Sequence, residues 1–220
     1  MASASQIPRA AKIARLLLLT GAVAGLLIAG GAHAAARTPT VVMLGDSVTA
    51  GYGLSRADSL PVQLQAALSR RGRAVKVVAA GVSGDTTADA LARTDFSVPV
   101  GTDLCIVELG GNDLLQGIDP KLVRQNLDAI LRKLKARRVP ALIVGVKAPP
   151  AVGAGYARDF DAAIAGAAKD MATPLYPDWF AGVSDAGLRQ RDGLHPNAKG
   201  ARTIAERLAP VVIKALKAGG

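Results

Sequence analysis

Short runs of apolar residues alternate along this chain with segments of helical pattern, and this alternation limits the possible folds more than any other feature. Strands that read as unbroken apolar runs are buried on both faces, and helices between them allow them to run parallel. The predicted strands are Val41–Leu44, Ala74–Ala80, Asp103–Leu109, Ala141–Val146 and Pro174–Tyr176. The pattern therefore predicts one α/β domain with a doubly wound, five-stranded parallel sheet.

The segments between the strands carry the start and stop signals of helices. The first helix is predicted to begin at Ser59-Leu60-Pro61 and to end near Arg71, because Gly72 follows. Pro210 lies inside the last predicted helix, and we expect it to bend or break that helix because proline lacks an N–H. The other predicted helices run from about Thr87 to Arg93, from Asp119-Pro120 to about Leu134, from about Tyr156 to Met171 and from about Ala198 onward.

The first residues have the pattern of an export signal. Three cations precede an apolar run, Leu16–Ala29, and small residues follow up to Ala32-His33-Ala34. A basic segment, a short apolar segment and an A-x-A site are the parts of a secretory signal peptide. We predict cleavage after Ala34, which gives a signal peptide, residues 1–34, and an exported domain, residues 35–220. The alternative is an N-terminal anchor that is not cleaved.

The exported domain remains basic, but it lacks the pattern of a nucleic-acid-binding protein. The net charge of +10 falls to +7 when the three cations of residues 1–34 are removed. The other Lys and Arg residues are spread over predicted helix surfaces, and aromatic residues make up only 3% of the chain. We therefore predict no nucleic-acid partner and at most weak contact with anionic membrane surfaces.

The residue types that bind metals or form disulfides are scarce. Cys105 is the single cysteine and lies in an apolar run, so we predict a buried, unreactive thiol and no internal disulfide. The chain has no His, Cys and carboxylate cluster with the spacing of metal ligands, so we predict no metal site.

Small and polar residues gather where the predicted strands end. In parallel sheets covered on both faces, ligands bind outside the carboxyl ends of the strands. Any one of these segments would be an ordinary turn, but five at one edge of the sheet indicate a functional site. The segments are Gly45–Ser47, Gly81–Thr87, Gly110–Asp113, Lys147–Pro150 and Asp192–Asn197.

Three residues of these segments have the types used in nucleophilic catalysis. Without residues 1–34, His195 is the only histidine, and Asp192 precedes it by three residues. In a turn or at a helix start, residues at this spacing lie side by side. Asp192 would then accept a hydrogen bond from Nδ1 of His195 and leave Nε2 to take the proton of Ser47.

Three other aspartates, Asp46, Asp85 and Asp113, lie in the same segments. Each is a candidate for the acid of the triad by adjacency alone. We expect a structural role for Asp46, bonded to the backbone of its own loop, because neighbours on an extended chain point to opposite sides.

Acyl transfer also needs hydrogen-bond donors aimed at the oxygen that becomes negative in the tetrahedral intermediate. Gly84 offers a backbone N–H with no side chain in the way, Asn112 offers a side-chain amide, and Ser47 offers its own N–H. Simpler interpretations stay open: Gly84 as a turn glycine and Asn112 as a helix cap.

The stretches "GDSVTAGYG", "SGDTT", "GGND" and "DGLHP" resemble the four signature blocks of the SGNH (GDSL) hydrolase family, and most closely its bacterial thioesterase I/lysophospholipase/arylesterase subgroup. The resemblance covers about Thr38 to Val212. It implies a three-layer α/β/α sandwich of the flavodoxin-like kind, a periplasmic or secreted location and no cofactor. It also implies the nucleophile, triad and oxyanion roles given above. One departure is Ala79, where the relatives have Asn.

This resemblance implies a serine hydrolase that cleaves carboxylic esters and thioesters of acyl chains through an acyl-enzyme. Its substrates would be small acyl esters, acyl-CoA thioesters or lysophospholipids. Two alternatives remain: a deacetylase or acetyltransferase of envelope polysaccharide, and a binding protein without activity. The chain lacks the G-x-S-x-G elbow of α/β-hydrolases.

Two apolar segments next to the predicted site are candidate walls of an acyl groove. One is Leu114–Ile118, after Asn112, and the other is Ala148–Tyr156, after the fourth strand. We predict that substrate contacts come from Leu114, Leu115, Ile118, Pro149, Pro150 and Val152.

Overall fold

The computed structural model describes residues 37–218. The predicted signal peptide, residues 1–34, and its cleavage site after Ala34 lie outside the described residues. Within residues 37–218, no helix combines the length and the hydrophobicity that crossing a membrane requires.

The centre of the domain is a parallel sheet of five strands in the order β2-β1-β3-β4-β5. The strands are β1 (Thr40–Gly45), β2 (Lys76–Gly81), β3 (Leu104–Glu108), β4 (Ala141–Val144) and β5 (Leu175–Tyr176). This is the flavodoxin-like strand order, and the order reverses between β1 and β3. The register places Val42 of β1 opposite Val78 of β2 and Cys105 of β3. The predicted α/β fold with a doubly wound, five-stranded parallel sheet is therefore confirmed.

Helices cover both faces of this sheet. Those of the described residues are α1 (Ser47–Ala50), α2 (Leu60–Arg70), α3 (Thr87–Ser97), α4 (Gly111–Gln116), α5 (Pro120–Ala136), α6 (Ala154–Asp170) and α7 (Ala198–Ala218). Helix α2 packs against α7, whereas α3, α5 and α6 pack side by side. The two helical groups and the sheet form the predicted three-layer α/β/α sandwich.

Two short helices, α1 and α4, were not expected from the sequence. Each begins at the end of a strand and has at most six residues, which is too short for an apolar periodicity. Helix α3 runs four residues beyond its predicted end at Arg93, to Ser97. Its start at Thr87 is fixed by a capping box between Thr86 and Asp89.

The burial of the strands follows their position in the sheet. Every residue of β3 is buried, but β2 is the outer strand and none of its residues is fully buried. The apolar run of β2 predicted burial on both faces, which is wrong: β2 is an outer strand, flanked only by β1, and its residues are half-buried or exposed. Ala79 is exposed on this outer strand, so its small side chain leaves no hole in the core.

Helix α7 continues through Pro210 without a break. A proline inside a helix leaves the carbonyl four residues earlier without its donor, here the carbonyl of Glu206. The Arg71 guanidinium supplies that donor, because its Nη2 lies 3.1 Å from the Glu206 carbonyl oxygen. Of the predicted bend or break, the break is absent, and a side chain at the end of α2 supplies a donor in place of the missing N–H.

Candidate active site

Ser47 lies at the carboxyl end of β1, as the first residue of α1. Asp46 caps this helix, since its Oδ1 accepts a hydrogen bond from the Val48 N–H at 3.0 Å. This is the structural role expected for Asp46. Helix α1 lies so close to β2 that a Cβ at Gly81 would overlap the backbone nitrogen of Ala50. A glycine at that position therefore lets the serine sit directly above the sheet edge.

The loop before α7 brings Asp192 and His195 to the same serine. Asp192 Oδ2 lies 2.7 Å from His195 Nδ1, and His195 Nε2 lies 2.9 Å from Ser47 Oγ. Asp192 Oδ1 also accepts the backbone N–H groups of Leu194 and His195, at 2.9 and 3.0 Å. The three predicted side chains thus form one continuous hydrogen-bonded chain from a carboxylate to a hydroxyl.

The charge of Asp192 fixes the direction of these hydrogen bonds. The His195 backbone N–H, together with the hydrogen bond from its imidazole, lowers the pKa of Asp192 to about 2. An ionised carboxylate only accepts hydrogen bonds, so Nδ1 of His195 carries a proton. In the neutral imidazole Nε2 is then the free acceptor, and it faces the Ser47 hydroxyl.

Gln190, which the sequence analysis did not identify, joins the histidine loop to the serine loop. Its backbone N–H donates to the His195 carbonyl at 2.8 Å, and its Nε2 donates to the carbonyls of Tyr52 and Pro196 at 2.7 and 3.0 Å. The Tyr52 ring also packs on the His195 imidazole, with 4.7 Å between their centroids. These contacts fix the histidine relative to a serine 148 positions away. No sequence pattern marks a glutamine whose partners are backbone carbonyls.

The candidate oxyanion donors lie on the neighbouring strand ends. Asn112 is the second residue of α4, whose N-cap is Gly110, so its interpretation as a helix cap is wrong. Its Nδ2 donates to the Asp85 carbonyl at 2.9 Å and lies 3.3 Å from Asp46 Oδ2. Gly84 has a φ of +92° in a turn closed by the Asp85 N–H and the Val82 carbonyl. The turn requires a glycine there, and this does not conflict with a role as donor.

The other carboxyl groups near the site have structural partners. Asp85 pairs with Nε of Arg93 at 2.6 Å, and Asp113 accepts the Thr87 N–H and hydroxyl at 2.9 and 2.6 Å. Burial raises the pKa of Asp113 and raises that of Asp46 to about 6. In the described part of the chain, only Asp192 accepts a hydrogen bond from the His195 ring.

One further acid, Glu108, lies beneath the serine and was not singled out in the sequence. It is buried at the end of β3 and accepts the Thr49 hydroxyl at 2.8 Å. Burial raises the pKa of Glu108 well above its ordinary value. Burial thus disfavours the charged form of this acid at the end of β3.

The predicted walls of the acyl groove differ in exposure. Leu114 and Ile118 are half-buried against the core, whereas Leu115 is 64% and Val152 is 40% exposed. The prolines of the second wall, Pro149 and Pro150, are exposed at the start of a short 3-10 helix, Pro150–Val152. The Tyr156 hydroxyl donates to the Ile118 carbonyl at 2.8 Å, so the two walls are in direct contact.

Cys105 takes no part in the site. It is fully buried in β3, and burial raises the pKa of its thiol to about 12, so the thiol is unreactive as predicted. Across residues 37–218, no group of three or more His, Cys, Asp or Glu side chains is placed to hold a metal ion.

Comparison with known proteins identifies one family. The sequence pattern of the GDSL-like Lipase/Acylhydrolase family matches residues 43–203. Esterase TesA of Pseudomonas aeruginosa is 35% identical over 90% of this chain and 98% of its own length. Thioesterase 1/protease 1/lysophospholipase L1 of Escherichia coli K12 is 34% identical over 80% of this chain and 84% of its own length.

Solved structures agree with the sequence comparison. AlinE4, a SGNH-hydrolase family esterase, is 42% identical to this chain and superimposes with a TM-score of 0.69. The match covers 82% of this chain and 97% of AlinE4.

Proposed function

Since the chain belongs to the GDSL-like lipase/acylhydrolase family, we propose that it cleaves carboxylic esters and thioesters of acyl chains with Ser47 as nucleophile, His195 as base and Asp192 as acid. Its relatives are named esterase, arylesterase and thioesterase, and this chain is an ester-bond hydrolase like them. The observation that carries the proposal is the unbroken hydrogen-bonded chain from Asp192 through His195 to Ser47.

The proposed reaction has two steps. Ser47 Oγ attacks the acyl carbon while His195 Nε2 takes its proton, and the same proton then goes to the departing alcohol or thiol. Water attacks the acyl-enzyme with His195 again as base, which releases the acid and restores the serine. Asp192 stays ionised throughout and stabilises the imidazolium that forms in each step.

We assign the stabilisation of the negative oxygen to the N–H groups of Ser47 and Gly84 and to the amide of Asn112. The support is their placement at three neighbouring strand ends, those of β1, β2 and β3. The Asn112 amide is fixed before substrate binds, because the Asp85 carbonyl holds it. Donors fixed in this way need no reorganisation during the reaction.

Asn112→Ala is expected to lower kcat by roughly 10²- to 10³-fold, with a smaller change in KM, because an oxyanion donor acts mainly on charge that develops in the transition state. Steady-state kinetics with p-nitrophenyl butyrate measure both constants. Gln63→Ala is the control, since the Gln63 side-chain amide donates to the Ala57 carbonyl, outside the site segments. A change confined to KM would mean that Asn112 binds substrate and does not stabilise the oxyanion.

The site edge favours substrates with an apolar acyl chain. Five of the exposed large apolar side chains lie in the segments that follow the five strands, one after each strand, at the edge of the sheet that also carries Ser47 and His195. They are Tyr52, Val82, Leu115, Val152 and Leu194. Apolar side chains gathered around polar catalytic groups are typical of a ligand site that buries a hydrophobic tail.

We expect kcat/KM to rise from acetyl toward medium-chain esters and then to level off when the groove is full. Each buried methylene contributes up to about 0.8 kcal/mol, which corresponds to about fourfold in kcat/KM. Val152→Asp should reduce this rise and leave acetyl esters nearly unchanged. The measurement uses p-nitrophenyl esters from acetyl to palmitoyl, with acyl-CoA thioesters and lysophospholipids beside them.

The control for this series is Val100→Asp, because Val100 is also an exposed valine but precedes β3, at the opposite edge of the sheet. It should leave the whole chain-length profile unchanged. A steady fall in kcat/KM from acetyl onward would contradict the acyl groove and favour the deacetylase of envelope polysaccharide.

We also propose that the enzyme acts outside the cytoplasm. The support is the signal-like sequence of residues 1–34, with its basic segment, short apolar segment and Ala32-His33-Ala34 site.

A further inference from the structure

The side chain of Arg93, on α3, lies mostly buried beneath the candidate site and binds the ends of two strands. Its Nη2 donates to the Gly45 carbonyl of β1 and its Nη1 to the Ala80 carbonyl of β2, both at 2.8 Å. Nη1 also donates to Ser97 Oγ at 3.0 Å, and Nε donates to Asp85 Oδ2 at 2.6 Å. The guanidinium thus joins β1, β2 and the loop after β2.

Two of these attachments, Gly45 and Asp85, lie close to proposed oxyanion donors. Gly45 is two residues before Ser47, and Asp85 directly follows Gly84. The Asp85 carbonyl in turn accepts the Asn112 amide at 2.9 Å. Ser47 is therefore joined to Gly45 through two peptide bonds, Gly84 to Asp85 through one peptide bond, and Asn112 to Asp85 through a hydrogen bond. Each proposed donor is thus linked to a residue that Arg93 contacts.

We propose that Arg93 is a positioning residue for the oxyanion hole, a role that rests on the function proposed above. It holds the loops of Ser47 and Gly84 at a fixed separation and, through Asp85, sets the position of Asn112. A displacement of about 1 Å at reacting groups can cost about 10²-fold in rate, so such a clamp acts on kcat.

Arg93 also has an electrostatic effect on the site. The carboxylate of Asp85 lies one residue from Gly84, and an unpaired negative charge there would oppose the negative oxygen of the tetrahedral intermediate. The ion pair with Arg93 neutralises that carboxylate. Arginine suits this position because its planar fork presents five N–H donors, whereas a lysine ammonium presents three from one point.

The experiment compares Arg93→Met with a matched variant, Arg124→Met. Arg124 is similarly buried and also pairs with aspartates, Asp128 and Asp170, but it links α5 to α6 away from the site. Both variants should lower Tm. Only Arg93→Met should lower kcat, by about 10- to 100-fold and with a smaller change in KM.

A transition-state analogue separates positioning from a general loss of stability. Ser47 Oγ adds to the carbonyl of an alkyl trifluoromethyl ketone, its proton passes to His195, and the resulting hemiketal oxygen is negatively charged in the oxyanion hole. The inhibition constant of the ketone should rise in Arg93→Met by the same factor by which kcat/KM falls. Arg93→Lys should lie between wild type and Arg93→Met in both measurements.

Two outcomes would overturn the proposal. One is an Arg93→Met enzyme with lower Tm but unchanged kcat, and the other is a fall in kcat/KM with no change in ketone affinity. If Arg93→Met does not fold, Arg93→Lys carries the test, since lysine keeps a positive charge for Asp85 but presents its donors from one point. Ser47→Ala tests the proposed function separately, because a Ser47→Ala enzyme that bound the ketone as tightly as wild type would contradict the nucleophile and not the role of Arg93.

Discussion

Ser47→Ala and His195→Ala are each expected to lower kcat by about 10⁶-fold, the scale found when the nucleophile or base of a serine hydrolase is removed. Without the Ser47 hydroxyl no acyl-enzyme forms, and without the imidazole the hydroxyl remains a weak nucleophile. Because the two groups act as a unit, the double variant should be no slower than either single variant. Steady-state hydrolysis of a p-nitrophenyl ester and labelling by a fluorophosphonate measure the loss.

The matched control for the nucleophile is Ser55→Ala. Ser55 follows α1 by only a few residues, but its hydroxyl donates to Asp58 and not to a histidine. This variant should keep full activity and full labelling. Thermal unfolding of Ser47→Ala should resemble that of wild type, since the substitution removes only a hydroxyl that is hydrogen-bonded to His195. Labelling that persisted in Ser47→Ala would place the nucleophile elsewhere.

The sequence predicts the central sheet of this fold well. Residues such as Val41–Leu44 and Leu104–Val107 are apolar without interruption because strands β1 and β3 lie between two strands and between two helical layers. The same apolar pattern predicts too much burial for β2, which is an outer strand with half-buried and exposed residues. Pattern alone does not say which strand is outermost, because strand order is decided by tertiary packing.

The helices also divide into features that the local sequence predicts and features that it does not. The predicted starts at Leu60 and Pro120 agree with the structure because a cap and a proline mark them locally. By contrast, the donor that replaces the missing N–H of Pro210 in α7 comes from Arg71, which is more than a hundred residues earlier in the chain. Contacts between distant residues of this kind have no local signal.

The residues of the candidate site likewise divide into those that the sequence reveals and those that it does not. Ser47, Asp192 and His195 could be selected because hydroxyl, carboxylate and imidazole have chemistry that a motif reveals. Gln190 could not, because its partners are backbone carbonyls, which every residue has. Arg93 could not, because its contacts with the Gly45 and Ala80 carbonyls likewise leave no local pattern. Glu108 was hidden in the apolar run of β3, where its acid side chain is buried like its apolar neighbours.

Asp192→Asn is expected to lower kcat by about 10⁴-fold, the loss recorded for the equivalent change in a serine protease. An asparagine amide at this position would donate toward Nδ1 and favour the tautomer in which Nε2 carries the proton. Nε2 could then no longer accept the Ser47 proton. The variant also lacks the negative charge that stabilises the imidazolium.

Because the pKa of Asp192 is lowered to about 2, the wild-type enzyme keeps this charge across the assay range of pH. Activity lost on acidification well above pH 2 must therefore come from another group.

Two comparison variants make this test specific to Asp192. Asp185 lies in the same loop and caps a short helix by accepting the Gly187 N–H at 2.8 Å. Asp185→Asn should therefore leave kcat unchanged. Asp46→Asn should cost much less than Asp192→Asn, because asparagine keeps an oxygen for the Val48 N–H and Asp46 makes no hydrogen bond to His195 among the contacts of the described residues. The opposite ranking, an inactive Asp46→Asn enzyme beside a nearly unaffected Asp192→Asn enzyme, would transfer the role of the acid to Asp46.

The double variant Asp192→Asn/His195→Ala tests whether Asp192 acts through His195 or directly. If Asp192 acts only through the imidazole, adding Asp192→Asn to His195→Ala should cause no further loss of kcat.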